Sequence, residues 1–300
     1  MKKTLSIFFA ALIVNFNLYS QHPEELSLPA IPSELRDIPL RAGFLIEHFW
    51  DNLDFKNDSR INDMPFLEQN FANFVNVFPP ASEQSRLIAV DTLMHRASIN
   101  PNLYKSFIDI AEKYLYELES PVANDDTYAL FLNNIISSPY LDDIHKLRYK
   151  AQLEAVTKNH PGLIAADFDF FKPDNSLSSL YKTNTNPPSD LILIFYDPTC
   201  EHCLEVIAEM RQSDLIRKKI TDGNLNVLAL FSGEDKDLWL ANLGYLDQKW
   251  IAGYDDGTLQ DEGLYILRTM PTIYLLDSSK RVILKEPSLE KLLSALNELE

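Results

Sequence analysis

Residues 191–210 read LILIFYDPTCEHCLEVIAEM. The first six residues form an apolar run rich in β-branched and aromatic side chains, and a run of this length predicts a strand buried on both faces. The segment Asp197-Pro198-Thr199 interrupts the run, and apolar residues then recur at roughly helical spacing. We therefore expect a strand followed by a helix, with Cys200 at the N-terminus of the helix.

Cys200 and Cys203 are the only cysteines among 300 residues. A cysteine in the first turn of a helix is favoured as a thiolate by unpaired backbone N–H groups and by the helix dipole. We therefore predict that Cys200 is the nucleophile and that Cys203, one turn later, is the resolving thiol. A protonated His202 would lower the pKa of Cys200 and Glu201 would raise it, so the direction of electron flow stays open.

Other interpretations of the cysteine pair remain. A structural disulfide is disfavoured because closing so small a loop removes little entropy from the unfolded chain. A zinc site built on Cys200, His202 and Cys203 would lack a fourth ligand, so we expect no metal. Metal transfer is a further hypothesis.

The N-terminus has the pattern of a secretory signal peptide. A positive start at Lys2 and Lys3 precedes an apolar segment, residues 5–14, and the small residue Ser20 comes before a polar stretch. The apolar segment is short for a membrane span, although an uncleaved anchor is the alternative. We expect a periplasmic or otherwise exported protein that is soluble after cleavage, with no stable membrane span.

The charge of the chain excludes some partners. The formal net charge is −17, and it becomes about −19 if Lys2 and Lys3 leave with the signal peptide. A surface this acidic repels nucleic acid and anionic lipid head groups, so neither is an expected partner. The length suggests two domains, and a hydrophobic content of 46% is ordinary for a globular protein.

The N-terminal half predicts consecutive helices. Apolar residues recur at helical spacing from residue 42 to residue 159, after a proline-rich lead-in, and five or six helices fit. Ser82 is the predicted cap of a helix over residues 83–97, and Asn100-Pro101 predicts the start of another. His48, His95 and His145 lack any chelating spacing, so we expect them to be solvated or core residues.

The C-terminal half alternates strands and helices. After a possible short strand within residues 165–171 and a loop over residues 172–190, we expect strands near residues 191–196, 225–231, 273–276 and 281–284. A helix carries the cysteines to about residue 220, and further helical segments are expected at residues 235–243, 261–267 and 288–299. This order predicts a central mixed sheet flanked by helices.

Residues 191–299 resemble the thioredoxin-like fold, in the branch of exported thiol–disulfide oxidoreductases related to TlpA and ResA. The resemblance is carried by the apolar strand leading into the cysteine pair, the helix bearing Trp239, and Met270-Pro271-Thr272 at the start of a strand. It implies that Pro271 is cis and faces the cysteines, and that the Met270 backbone binds an extended substrate by strand addition. In this family a tryptophan usually stands directly before the first cysteine. Here the segment before Cys200 is instead Tyr196-Asp197-Pro198-Thr199.

The N-terminal half is similar to a helical domain of unassigned function that precedes thioredoxin-like domains in envelope proteins of some Gram-negative bacteria. This resemblance is carried by residues 49–55, FWDNLDF, and residues 89–94, AVDTLM. It implies an architecture and a compartment, and no activity.

These observations predict an α + α/β chain, with an N-terminal all-α helical domain followed by a C-terminal thioredoxin-like domain. The predicted parts are a signal peptide (1–20), an extended lead-in (21–41), the helical domain (42–160) and the thioredoxin-like domain (161–300). The predicted function is disulfide exchange or reduction in envelope proteins, with disulfide-bearing envelope proteins or a redox protein as partners and no cofactor. The alternative is a binding module, in which the helical domain recognises a partner and the thioredoxin-like domain is a scaffold.

Overall fold

The computed structural model describes residues 24–183 and 188–299. Their contacts divide the chain into two compact units, with the division between Phe107 and Ile108. The predicted signal peptide lies outside the described residues and stays a prediction. No helix within the described ranges is long and apolar enough to cross a membrane.

The first unit is built from helices around an aromatic core. It contains α1 (Ile38–Glu47), a 3-10 turn (Ser59–Asn62), α2 (Met64–Asn76), α3 (Glu83–Ala97) and most of α4 (Pro101–Ala111). Trp50 packs edge-on against Phe74 and Phe107, with ring centres 5.8 and 5.3 Å apart. The predicted Ser82 cap is present, because its side chain accepts a hydrogen bond from the backbone N–H of Ser85.

The lead-in is shorter than predicted. Helix α1 begins at Ile38, four residues before the predicted start, because Pro39 occupies the first turn, where a missing N–H costs no hydrogen bond. The side-chain oxygen of Asn70 accepts from the N–H of Leu26 at 2.8 Å, and its amide nitrogen donates to the carbonyl of Glu24 at 3.0 Å. One buried side chain of α2 thus holds the extended segment in place.

The second unit begins with the remaining helices. The end of α4 continues into a π-helical turn (Glu112–Tyr116), followed by α5 (Asp125–Ser137) and α6 (Asp143–Thr157). The side chain of Asn124 caps α5 and that of Asp142 caps α6. The described N-terminal half therefore has six α-helices, as the helical spacing predicts.

The rest of the second unit is a mixed seven-stranded sheet flanked by helices, as predicted. Its strands are β1 (Asp169–Phe171), β2 (Leu177–Ser179), β3 (Asp190–Phe195), β4 (Leu225–Ser232), β5 (Ile251–Asp255), β6 (Thr272–Leu276) and β7 (Val282–Lys285), in the order β2-β1-β5-β4-β3-β6-β7. The helices are α7 (Glu201–Gln212), α8 (Asp214–Thr221), α9 (Lys236–Ala241), α10 (Thr258–Asp261) and α11 (Leu289–Glu298). Strand β3 is parallel to β4 and antiparallel to β6.

Strand β3 is buried on both faces, as its continuous apolar run predicts. Ile192 and Ile194 belong to the core cluster that includes Cys203 and residues of α7, α8, α9 and α11. Leu191 and Leu193 belong to a second cluster on the opposite face. The strand that leads to the cysteines therefore lies in the middle of the core.

Three details of the C-terminal half differ from the sequence prediction. The helix after the cysteines is broken at Ser213, whose side chain caps a new helix, α8. Strand β2 lies inside the segment predicted as a loop, because it pairs with β1 at the edge of the sheet. The predicted helical turn at residues 261–267 is instead α10, Thr258–Asp261.

Candidate active site

A tight turn joins strand β3 to helix α7. The Oδ1 atom of Asp197 accepts hydrogen bonds from the backbone N–H and the hydroxyl of Thr199, at 2.7 and 2.6 Å. The carbonyl of Asp197 accepts from the N–H of Cys200 at 3.1 Å, which closes a four-residue turn with Pro198 in its second position. Aspartate at the first position and proline at the second position are favoured in such turns. The sequence therefore fixes where the helix starts.

Cys200 is the N-cap residue of α7. Its Sγ atom accepts a hydrogen bond from the N–H of Cys203, with a sulfur–nitrogen distance of 3.2 Å. The Cys200 side chain is partly exposed, whereas Cys203 is fully buried, and both are free thiols. The structure thus brings the two predicted cysteines together, with one accessible sulfur and one enclosed sulfur.

The environment of Cys203 holds it in the neutral form. Burial raises the pKa of the Cys203 thiol to about 12, and a hydrogen bond from the backbone of Asp197 acts in the opposite direction. The surrounding cluster is apolar and includes Ile194 and Ile207. Tyr196 and Trp239 belong to the same cluster, where burial raises the pKa of Tyr196 to about 12 and a side-chain hydrogen bond with Trp239 acts in the opposite direction.

The position of the predicted substrate-binding loop, Met270 and Pro271, follows from the pairing of β3 with β6. Phe195, at the end of β3, pairs with Thr272, so Pro271 and Met270 continue from β6 beside the turn that carries the cysteines. The Met270–Pro271 peptide bond is cis, as the resemblance implies. Met270 and Cys200 both pack against the cluster that contains Cys203. The substrate-binding role of Met270 and Pro271 stays a prediction.

The two residues between the cysteines face solvent. The His202 side chain is 68% exposed, and its Nδ1 atom lies 3.6 Å from a carboxylate oxygen of Glu205. Glu201 is exposed in the first turn of α7. His202 therefore has a carboxylate partner on the outer face of its own helix, which the sequence argument did not consider. The tuning roles of Glu201 and His202 stay predictions.

The other histidines singled out by the sequence have surface or local contacts. His48 pairs with Asp51 at 2.7 Å, and His145 pairs with Asp142 at the same distance. His95 lies in the last turn of α3. Within the part of the chain that the structure describes, no group of three or more His, Cys, Asp or Glu residues is arranged to hold a metal ion.

Sequence reasoning missed the structural role of Asp197 and its position next to the buried thiol. The signal was present, since an Asp-Pro pair directly after a strand is typical of a turn. The apolar burial of Cys203 could not be predicted from the local sequence, because its core cluster combines residues from several strands and helices that are far apart in the chain.

The fold and the cysteine geometry define a thioredoxin-like protein with an additional helical region. Residues 3–159 match the family described as "Domain of unknown function (DUF5106)", and the chain belongs to this family. The similarity of the N-terminal half to a helical domain of unassigned function is thereby confirmed.

One solved structure that matches most of the chain supports the same description. The crystal structure of a thioredoxin-like protein from Bacteroides caccae ATCC 43185 is 30% identical, with a TM-score of 0.82, and the match covers 92% of this chain and 99% of that chain. The C-terminal domain of an uncharacterized protein from Bacteroides fragilis NCTC 9343 is also 30% identical, over 46% of this chain and 98% of that chain, with a TM-score of 0.44. A thiol-disulfide oxidoreductase from the same organism is 20% identical over 46% of this chain and 100% of that chain, with a TM-score of 0.40. No curated protein matches the sequence.

Proposed function

We propose that the chain is an exported thiol–disulfide oxidoreductase that exchanges or reduces disulfides in envelope proteins. The observation that carries the proposal is the Cys200–Cys203 pair at the start of α7, in which the partly exposed sulfur accepts a hydrogen bond from the backbone N–H of the buried cysteine. A thiolate is the attacking species in disulfide exchange, and the Cys200 sulfur is the one that a client disulfide can reach.

The reaction proceeds in two exchanges. The Cys200 thiolate attacks one sulfur of a client disulfide, which breaks the client S–S bond, forms a mixed disulfide and releases the other client sulfur as a thiolate. Cys203, after losing its proton, attacks the Cys200 sulfur and releases the reduced client. The client disulfide gains two electrons and the Cys200–Cys203 pair loses two, so a dithiol reductant must return the pair to its starting state.

The different environments of the two sulfurs suit these roles. A partly exposed Cys200 can reach a disulfide on another protein, whereas a buried, protonated Cys203 does not compete for the client. Since burial keeps Cys203 neutral, it attacks only after the mixed disulfide has formed beside it. We therefore assign the nucleophile to Cys200 and the resolving thiol to Cys203.

Export rests on the sequence of the first twenty residues, which lie outside the described range. The positive start, short apolar segment and Ser20 support a cleaved signal peptide. Mass analysis of the protein recovered from the periplasm tests this point. We expect a mature chain that begins near residue 21, whereas a full-length chain held in the membrane fraction would refute cleavage.

The activity is tested with purified mature protein, a dithiol reductant and a protein disulfide as the client. We expect turnover by the native protein and no turnover by Cys200→Ser. The matched variant Cys203→Ser keeps the nucleophile, so it should accumulate a mixed disulfide that mass analysis detects. Turnover unchanged by Cys200→Ser would exclude the proposed function.

A further inference from the structure

A buried arginine lies two residues before the Met270–Pro271 loop. The side chain of Arg268 is 8% exposed, and its Nε atom donates to an oxygen of Glu286 at 2.7 Å. Its two terminal nitrogens donate to the two oxygens of Asp125, at 3.1 and 3.3 Å. Asp125 is the first residue of α5, within the region that matches the helical family. This two-point contact fixes the orientation of the planar guanidinium group.

The guanidinium group also packs on an aromatic ring. Its central carbon lies 4.8 Å from the ring centre of Tyr116, the last residue of the π-helical turn. Burial acts to lower the pKa of Arg268, but the hydrogen bond to Glu286 and the charges of Glu286 and Asp125 outweigh it and raise the pKa. Arg268 is therefore a permanent cation held by two acids and one ring.

A second buried cation, Lys285 of β7, contacts helices α5 and α6. Lys285, at the end of β7, is 2% exposed and lies 3.8 Å from a carboxylate oxygen of Asp125. Its Nζ atom donates to the backbone carbonyls of Ala155 and Lys158, at and after the end of α6. Arg268, Lys285, Asp125 and Glu286 thus form a charge-balanced group, which we call the Arg268 network.

From this arrangement we infer that the Arg268 network is a positioning element for the Met270–Pro271 loop. Through Asp125 and Tyr116, the last part of the helical domain fixes the backbone that would receive a client strand. The inference rests on the proposed function, and it gives residues 112–158 a role in client binding rather than in cysteine chemistry.

The loop is fixed at both ends, which supports this role. On one side, the N–H of Glu286 donates to the carbonyl of Ile273 at 2.8 Å, just after the loop. On the other side, Arg268 is held by the side chains of Glu286 and Asp125, and Asp125 belongs to α5. Replacing a whole buried ion pair by apolar packing is often neutral for stability, so we assign the Arg268 network a role in geometry.

The test compares Asp125→Asn with Asp214→Asn. Asp214 is the matched control, because it is also the first residue of a helix and pairs with an arginine, Arg217, but on an exposed surface. Steady-state exchange is measured with a protein disulfide and with a small aromatic disulfide, and hydrogen exchange is followed at residues 269–273. We expect Asp125→Asn to raise the KM for the protein disulfide about tenfold, equivalent to ~1.4 kcal/mol of binding.

The other expected results separate positioning from chemistry. Asp125→Asn should leave kcat with the small disulfide unchanged and should speed hydrogen exchange at residues 269–273, whereas Asp214→Asn should change neither. If Asp125→Asn does not fold, Arg268→Lys keeps the charge, loses the planar fork and should give the same pattern.

Two results would overturn the inference. One is an unchanged KM together with unchanged hydrogen exchange in the loop. The other is a uniform loss, in which exchange rises across the whole sheet and both disulfides react more slowly, since this indicates general destabilisation. Absence of activity in the native protein would instead refute the proposed function, and the hydrogen-exchange comparison would still decide the positioning role.

Discussion

Cys200→Ser leaves Cys203 as the single thiol of the chain, and this variant tests the ionisation of the buried sulfur. Burial is the largest cause that raises the Cys203 pKa from its ordinary value of 9.0 to about 12, and burial persists when Cys200 is replaced. A rise of this size corresponds to about 4 kcal/mol of free energy against the thiolate. At pH 9, only a small fraction of Cys203 side chains should be ionised, against about half for an exposed cysteine.

The measurement is the rate of alkylation by iodoacetamide between pH 7 and pH 10.5, read by mass analysis. Poor access slows alkylation equally at every pH, whereas a raised pKa moves the pH at which the rate levels off. We expect no levelling below pH 10.5 for Cys203 in the folded protein, and levelling near pH 9 in guanidinium. Cys203→Ser, which leaves the partly exposed Cys200, is the control for access. A rate that levels off near pH 9 in folded Cys200→Ser would refute the reasoning.

The same ionisation affects stability. The folded state binds the Cys203 proton more tightly than the unfolded state, so this contribution is complete below about pH 9 and is lost as the pH rises towards 12. Between about pH 9 and pH 12, rising pH should lower the free energy of unfolding of the native protein. The loss should exceed that of Cys203→Ala by about 1.4 kcal/mol per pH unit. Equal slopes in urea titrations of the two proteins would contradict the assignment.

Three stability predictions follow from packing and capping, each measured by urea denaturation. In Gly253→Ala the new Cβ would lie 2.8 Å from a methyl group of Leu230, and this clash should cost about 1–3 kcal/mol of stability. In the control Gly244→Ala the new Cβ meets no atom within 4 Å, so the change should be near neutral. Equal costs in the two variants would refute the clash. Ile194→Ala empties a fully buried site in the core cluster that contains Cys203 and should cost about 2–5 kcal/mol. A cost below ~1 kcal/mol would show that the core closes over the gap. Ser82→Ala removes the cap of α3 and should cost about 1 kcal/mol, a result that an unchanged midpoint would contradict.

Local signals in the sequence were sufficient to predict the main helices and strands. The apolar run at residues 191–196, the Ser82 cap and Asn100-Pro101 each act within a few residues, so their effects are visible in the order of the side chains. The start of α7 is of the same kind, because Asp197 and Pro198 determine the turn directly before it.

Features that depend on distant residues could not be predicted. Strand β2 exists because it pairs with β1, and its own residues carry little strand signal. The helix break at Ser213 was hidden, because apolar residues keep helical spacing on both sides of it. Arg268 and Asp125 are separated by 143 positions, and neither residue predicts the other from its local sequence.

The division of the chain after Phe107 limits where two related proteins can be joined to make a chimera. The family match ends at residue 159, yet α5 and α6 share a compact unit with the sheet. A chimera joined at residue 160 would combine Asp125 from one parent with Arg268 from another. Such hybrids should bind protein disulfides as tightly as their parents only when both parents supply this pair.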